Sequence, residues 1–498
     1  ETDLYILQIS IIFTASNFAE GKGWIRIFIR KQMNENREQI FENNEFQVLL
    51  RKYEDMRSGT QSIFFDVEEF EQIIEYYLDD FKFDEAREAA VLGNQQHPTS
   101  VEIKYKFIHI HIEQGQPKKA LNLLEEIPAW EENNPERYFL KGTALCQMGR
   151  MKEAESQFDR ALEISSEDSF DALINISIAF ENVRHFKLAI KYLLQAHQLQ
   201  PDHLSVLYDL GYFYERIHRF KESLKHYEHY LDLDPYSDNV WYNMGIVYHK
   251  MEQYENAVQA YDYSIAINPD YASAYFNKAS VWVSAGNHRK AIDAYRELLE
   301  IEPENTQAYC FMGDCYEQMD QLQDSLKSFR RVIELDNTDP EGWFGAGMIY
   351  HRLKRYQEAI TYILKSIEFD NSNLDYWINL GYANEDAGNT EEAVKCYGYV
   401  TRTEPGDLDG WIALTGILMK EGLFEKSLHF LREAFVHHPK APEIMVKIAV
   451  CHLKLGKRKL AINFLKESLE LNADMLSEFS YYFPEDAWNT DIRNIIKK

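Results

Sequence analysis

The chain has 498 residues, with 81 acidic and 53 basic side chains and a formal charge of −28. That surplus argues against a nucleic-acid backbone as partner and disfavours anionic membrane surfaces, because both would repel it. The five cysteines have no regular spacing and suggest no disulfide framework, which fits a reducing compartment and predicts a cytoplasmic protein.

Residues 1–32 differ in composition from the rest of the chain, with seven isoleucines and three acids. Their most apolar run, Leu4 to Ala15, is interrupted by Gln8, Ser10 and Thr14, and it is shorter than the roughly 18 residues a membrane span requires. Glu1 and Asp3 precede it where a signal peptide would carry basic residues. The break in composition predicts Met33 as the native start, with 1–32 foreign to the protein; a β-prone or partner-binding arm is the alternative. In the next segment, 33–66, Phe46, Val48, Leu49, Leu50 and Tyr53 predict one capping helix. Asp66, with Glu69 three residues on, reads as a capping box that opens the helix after it.

A repeat then runs over residues 67–475. Stepping by 34 residues from Ala257 gives Ala291, Ser325, Ala359, Ala393, Ser427 and Ala461. Stepping backwards gives Ser223 and Ala189 and, after a one-residue insertion, Ala154, Ala120 and Ala86. Twelve units are predicted, starting near 67, 101, 135, 170, 204, 238, 272, 306, 340, 374, 408 and 442. Glycine precedes the small residue by 12 positions at Gly142, Gly211, Gly245, Gly313, Gly347 and Gly381. A bulky group follows it by four, as at Phe158, Tyr227, Tyr261, Tyr295, Phe329 and Tyr397. Gly115, Gly149, Gly286, Gly388, Gly422 and Gly456 can take the left-handed conformation that ends a helix. Proline closes seven units, among them Pro201, Pro235 and Pro405, where it cannot continue a helix. The apolar spacing within each unit is helical, so each unit is predicted to be a helix–turn–helix whose apolar faces need neighbours to cover them. Beyond the repeat, segment 476–498 carries Leu476, Phe479 and Tyr482, which predict a helix covering the last unit. Pro484 interrupts it, and Ile492, Ile495 and Ile496 predict a short final helix.

These columns resemble the tetratricopeptide repeat. The unit with Trp241, Met244, Gly245, Tyr248, Ala257, Tyr261 and Pro269 is close to that consensus, and Trp343, Trp377 and Trp411 repeat its opening aromatic. The units from Val67 and Val101 depart from it, with Ile74 and Ile108 where glycine is typical. The resemblance implies an all-α fold, a right-handed superhelical solenoid of antiparallel helix pairs. It also implies that the first helix of each unit lines a concave groove, with its second, fifth, sixth and ninth positions facing inward.

Catalytic signatures are missing: there is no phosphate loop, dinucleotide-binding fingerprint or nucleophile elbow. No cofactor and no metal are expected. His226/His229 and His249/His351 invite a metal reading, but no Cys or carboxylate set completes a site, and solvated or packed histidines are the simpler reading. Cys310 and Cys315, five apart, do not share a helix face well and read as packing thiols.

The groove is therefore the candidate site. Its sixth positions carry Asn175, Asp209, Asn243 and Asn277 in four consecutive units, and Asn379 later. Asparagine is a mediocre helix former, and its amide offers both a donor and an acceptor to an extended backbone. The row resembles the asparagine ladder of O-linked N-acetylglucosamine transferases, and it breaks at Phe311, Gly345 and Ala413. Solvated or intra-helix-bonded amides are the alternative. Tyr212, Tyr242, Phe276, Phe344 and Tyr382 fall at inward positions as candidate aromatic anchors, with packing against the next helix as the alternative. The basic clamp that some relatives use for carboxylate tails is not supported, because its positions hold Asn239, Tyr242, Ser273, Phe276 and Gln307.

Charge is uneven. Residues 408–498 carry 13 basic and 12 acidic groups, a balance of +1 that leaves −29 on residues 1–407. Lys457-Arg458-Lys459 reads as a solvated loop, or as a docking point for an acidic partner or a second copy. The expected function is a non-enzymatic scaffold that binds an extended protein or peptide segment, neutral or basic, in the groove. Two alternatives stand beside it: a substrate-recruiting subunit of an enzyme carried on another chain, and a self-associating structural scaffold.

Overall fold

The computed structural model describes residues 44–58, 63–165 and 169–483. The segment 1–32 and the short helix expected at 492–496 lie outside the described residues. Those residues fall into two units, one ending at Tyr271 and one starting at Ala272. None of them is in a strand.

The first unit opens with α1 (Asn44–Arg57), then pairs α2 (Val67–Asp79) with α3 (Phe83–Gln96) and α4 (Val101–Glu113) with α5 (Pro117–Glu125). After a short 3₁₀ turn come α6 (Pro135–Gln147) with α7 (Met151–Ile164) and α8 (Ser169–Asn182) with α9 (Phe186–Leu199). It ends with α10 (Leu204–Arg216) and α11 (Phe220–Leu233), then α12 (Asp238–Lys250) and α13 (Tyr254–Ile267). The second unit pairs α14 (Ala272–Ser284) with α15 (His288–Ile301), α16 (Thr306–Gln318) with α17 (Leu322–Leu335) and α18 (Pro340–Arg352) with α19 (Tyr356–Phe369). It continues through α20 (Leu374–Asp386) and α21 (Thr390–Thr403), α22 (Leu408–Lys420) and α23 (Phe424–His437), and α24 (Pro442–Lys454) and α25 (Arg458–Leu471). A last helix, α26 (Met475–Tyr482), closes the second unit. The fold is all-α, and each unit is a solenoid of antiparallel helix pairs.

The repeated columns have distinct physical roles. Every member of the Ala/Ser column, from Ala86 to Ala461, is buried. Of the three serines in the column, Ser223 Oγ donates to the Gly211 carbonyl at 2.6 Å and Ser427 Oγ to that of Thr415 at 3.1 Å, whereas the buried Ser325 Oγ has no partner among the described residues. The helical glycine makes space for the ring of its partner helix. A Cβ on Gly211 would lie 2.5 Å from the Tyr227 ring, and one on Gly381 would lie 2.3 Å from Tyr397. Tryptophan at the head of a unit ties down the turn before it. The Nε1 groups of Trp241, Trp343, Trp377 and Trp411 donate to carbonyls six residues back, at 2.9–3.1 Å.

The helix–helix turn uses a left-handed residue in every pair. Six are the glycines at 115, 149, 286, 388, 422 and 456; the other six are Phe81, Arg184, His218, Glu252, Asp320 and Lys354. Glycine is the residue expected there, because it alone adopts this backbone without strain. The other six residues take the same conformation, so the fold imposes it where the side chain does not favour it.

The ends are capped. Asp66 and Glu69 form the reciprocal capping box, at 2.8 and 2.9 Å. Phe46, Leu49, Leu50 and Tyr53 of α1 are buried with Phe70, Ile73, Ile74 and Tyr77, while Val48 faces outward. At the other end Phe479 of α26 is fully buried, and the helix packs chiefly on α24.

Candidate functional site

Within each unit, consecutive helices from α2 onward pack on each other, and successive first helices also touch: α2–α4, α4–α6, α6–α8 and α10–α12 in the first unit, α16–α18, α18–α20 and α22–α24 in the second. Among the described residues no comparable contact joins successive second helices. The first helices are therefore the more closely spaced row, and they form the inner face of each unit.

In the first unit, Asn175, Asp209 and Asn243 occupy equivalent places on α8, α10 and α12. Asn175 is half-buried and receives no hydrogen bond among the described residues. Asn243 is half-buried, and its amide donates to the Tyr208 hydroxyl at 2.9 Å. Asp209 is only 5% exposed. Burial pushes its carboxyl well above the usual carboxylate range, and Glu181 pushes it the same way. Rings pack along the same helices: Tyr208 lies 6.1 Å from Tyr227, and Tyr242 lies 5.7 Å from Tyr261 and 4.9 Å from Tyr271. Tyr212, half-buried, stands one turn along from Asp209. Nearer the N-terminus the sixth position is a cation, Lys106, whose Nζ lies 2.6 Å from Glu75 and 3.7 Å from Glu71.

The second unit differs. Asn277 is half-buried on α14. Asn379 donates to the Asp375 carbonyl of its own helix at 2.8 Å, so its donor serves α20 and not the groove. The aromatics expected as open anchors divide. Phe276 (7% exposed) packs on Tyr295 and Phe311, and Phe344 (8% exposed) packs on Tyr376. The next first helix covers both, and they contribute as packing. Tyr382 remains open, at 40%.

Two features of this face are not evident in the sequence. Asp314, at the ninth position of α16, is raised to about 7 by burial, with Glu317 and Glu341 adding to the effect; its inward register is the one signal the sequence carries. Lys447, the sixth position of α24, is buried and holds Glu478 of α26 at 2.7 Å. The final helix therefore covers that stretch of the inner face.

The remaining candidates are packed groups or surface groups facing carboxylates. His226 is stacked on Tyr214 and lies 5.5 Å from His197; burial lowers its pKa to about 4. His229 faces Asp202 at 3.0 Å and His351 faces Asp386 at 2.9 Å, while burial lowers His249. All five cysteines are free thiols, and Cys315 is buried where Cys310 is partly so. Among the described residues, no set of three or more His, Cys, Asp or Glu is arranged to hold a metal ion. No helix among them is long and apolar enough to cross a membrane.

Sequence models of the tetratricopeptide repeat match residues 239–271, 77–141 and 283–343, and 135–168, 204–237, 340–373, 374–405 and 442–475. No functionally curated protein matches the chain. Among solved structures, MamA is similar at 25% identity, over 34% of this chain and 94% of its own, with a TM-score of 0.33. YrrB, a tetratricopeptide repeat protein with an unusual peptide-binding site, is similar at 18% identity over 37% of this chain and 95% of its own, at 0.32. The Cut9–Hcn1 structure of the APC/C is similar at 13% identity over 86% and 89%, at 0.35. With repeat matches over more than half of its length, the chain belongs to the tetratricopeptide repeat family, a family of protein-interaction scaffolds.

Proposed function

We propose that the chain is a non-catalytic scaffold that binds an extended, neutral or basic protein segment along the inner face of its first helices. One observation carries this reading: the half-buried amides of Asn175 and Asn243 keep hydrogen-bonding capacity toward that face. Asn175 has no partner among the described residues, and Asn243 uses only its donor. A half-buried amide with unspent capacity is completed at little cost by a peptide backbone, which presents a donor and an acceptor at every residue. The free thiols support the cytoplasmic placement.

Affinity capture from source-cell extract, followed by mass spectrometry, would supply a bound segment for calorimetry. Asn175→Ala combined with Asn243→Ala should weaken that segment roughly thirty-fold, since each lost hydrogen bond is worth about 1 kcal/mol. Far-UV circular dichroism should not change. Unchanged affinity would remove the amide row from the mechanism.

A further inference from the structure

Asp209 is the anomaly of the first unit. It stands where its neighbours on either side in the row carry asparagine, it is nine-tenths buried, and no hydrogen bond or ion pair reaches it among the described residues. The charged group whose field reaches it is Glu181, another carboxylate. An uncompensated buried carboxylate is among the costlier groups a fold can carry. An asparagine of the same shape would have continued the row without that cost. Two buried cations of the inner faces are completed within the chain, Lys106 by Glu75 and Lys447 by Glu478, whereas the carboxylates Asp209 and, in the second unit, Asp314 are not. At Asp209 the complement is missing.

The surroundings define what would supply it. Tyr212 lies one turn along, Tyr208 is adjacent, and Asn243, on the next first helix, is already bonded to Tyr208. Aromatic faces attract cations, and a planar guanidinium can meet a carboxylate with two parallel hydrogen bonds while its plane lies against a ring.

We propose that Asp209 is a recognition site for a basic side chain of the bound segment, arginine ahead of lysine, with Tyr212 against its stem. This rests on the scaffold reading and adds to it a position-specific chemistry. Non-specific attraction to the chain's overall negative charge would act on any basic peptide at any place; this site acts through one carboxylate.

The test uses the full chain and immobilised pools of degenerate extended peptides whose central residue is fixed as Arg, Lys, Gln or Glu. Arg pools should be retained about ten-fold over Gln pools, the scale of a charged hydrogen bond, with Lys between them. Asp209→Asn should bring the Arg-to-Gln ratio to about two-fold or less, the residue of long-range charge, while Gln pools bind as before. The same variant should melt at the same temperature or higher, because it removes an unpaired buried charge. Retention of all pools without charge preference, or an Arg preference that survives Asp209→Asn, overturns the site while leaving the scaffold reading in place. Retention of no pool overturns both. A lower melting temperature for Asp209→Asn would show that the carboxylate already has a structural complement, and would also overturn the site.

Discussion

Asp314 shows how a single side chain sets a pH dependence. It sits at the ninth position of α16 with no hydrogen bond or ion pair among the described residues, and burial, with Glu317 and Glu341, raises it to about 7. In the unfolded chain it titrates near 4. Between those two values the native state holds a proton that the unfolded state has released, so stability rises as pH falls through about 7 toward 4. Above 7 both states are ionised, and the native state bears the full cost of a buried charge. Asp314→Asn cannot titrate, so it should be more stable than the parent at pH 8, by about 1–3 kcal/mol, with the difference shrinking as pH drops and nearly gone near pH 4. Melting curves at stepped pH read this directly, and a difference that stayed constant with pH would refute the assignment. The residue is visible in the sequence at an inward register. Its perturbation is not, because that depends chiefly on burial by the packed helices, to which Glu317 and, from the next pair, Glu341 add.

The helix–turn–helix element has the same turn in all its copies, whichever residue occupies it. At Gly286 the closing bonds are Gly286 N to the Val283 carbonyl and Asn287 N to that of Trp282, at 2.9 and 2.8 Å. At Glu252 they are Glu252 N to His249 and Gln253 N to Tyr248, both at 2.9 Å. The backbone is thus equivalent, with φ near +72° and +59°, and the strain of a side chain there is about 1–2 kcal/mol. Set against the larger entropy glycine loses on folding, Glu252→Gly should stabilise by up to about 1 kcal/mol. Gly286→Ala should destabilise by about 1 kcal/mol. Chemical denaturation of the two variants checks both signs, and a loss of stability in Glu252→Gly would mean that the side chain contributes more than the turn costs. Columns with one physical solution, the buried Ala/Ser and the ring-facing glycine, were therefore legible in the sequence. The turn was legible in only half its copies, because hydrogen bonding sets its conformation and side chain does not.

At the scale of the chain, contact is local: every substantial helix–helix contact joins an element to its first or second neighbour along the sequence. The period made this architecture readable, since one repeat predicts the next. The inner face was less readable, because a groove residue's role depends on what its neighbours have already claimed. Asn379 is held by its own helix and Lys447 by the final one, and neither fact follows from position alone. Locality also has an energetic consequence. In a compact globular core a local defect is shared by the whole domain, whereas in a stack of repeats its effect declines with the number of interfaces crossed. Gly211→Ala places a methyl carbon 2.5 Å from the buried Tyr227 ring, between α10 and α11, which costs about 1–3 kcal/mol through forced repacking. Hydrogen exchange read by mass spectrometry should show lost protection in α10 and α11, with smaller losses in α8, α9, α12 and α13. Helices α2 to α5, four or more interfaces away in the same unit, should exchange as in the parent. An even loss of protection from α2 to α13 would mean that the first unit unfolds as one cooperative body, and that nearest-neighbour coupling does not describe it.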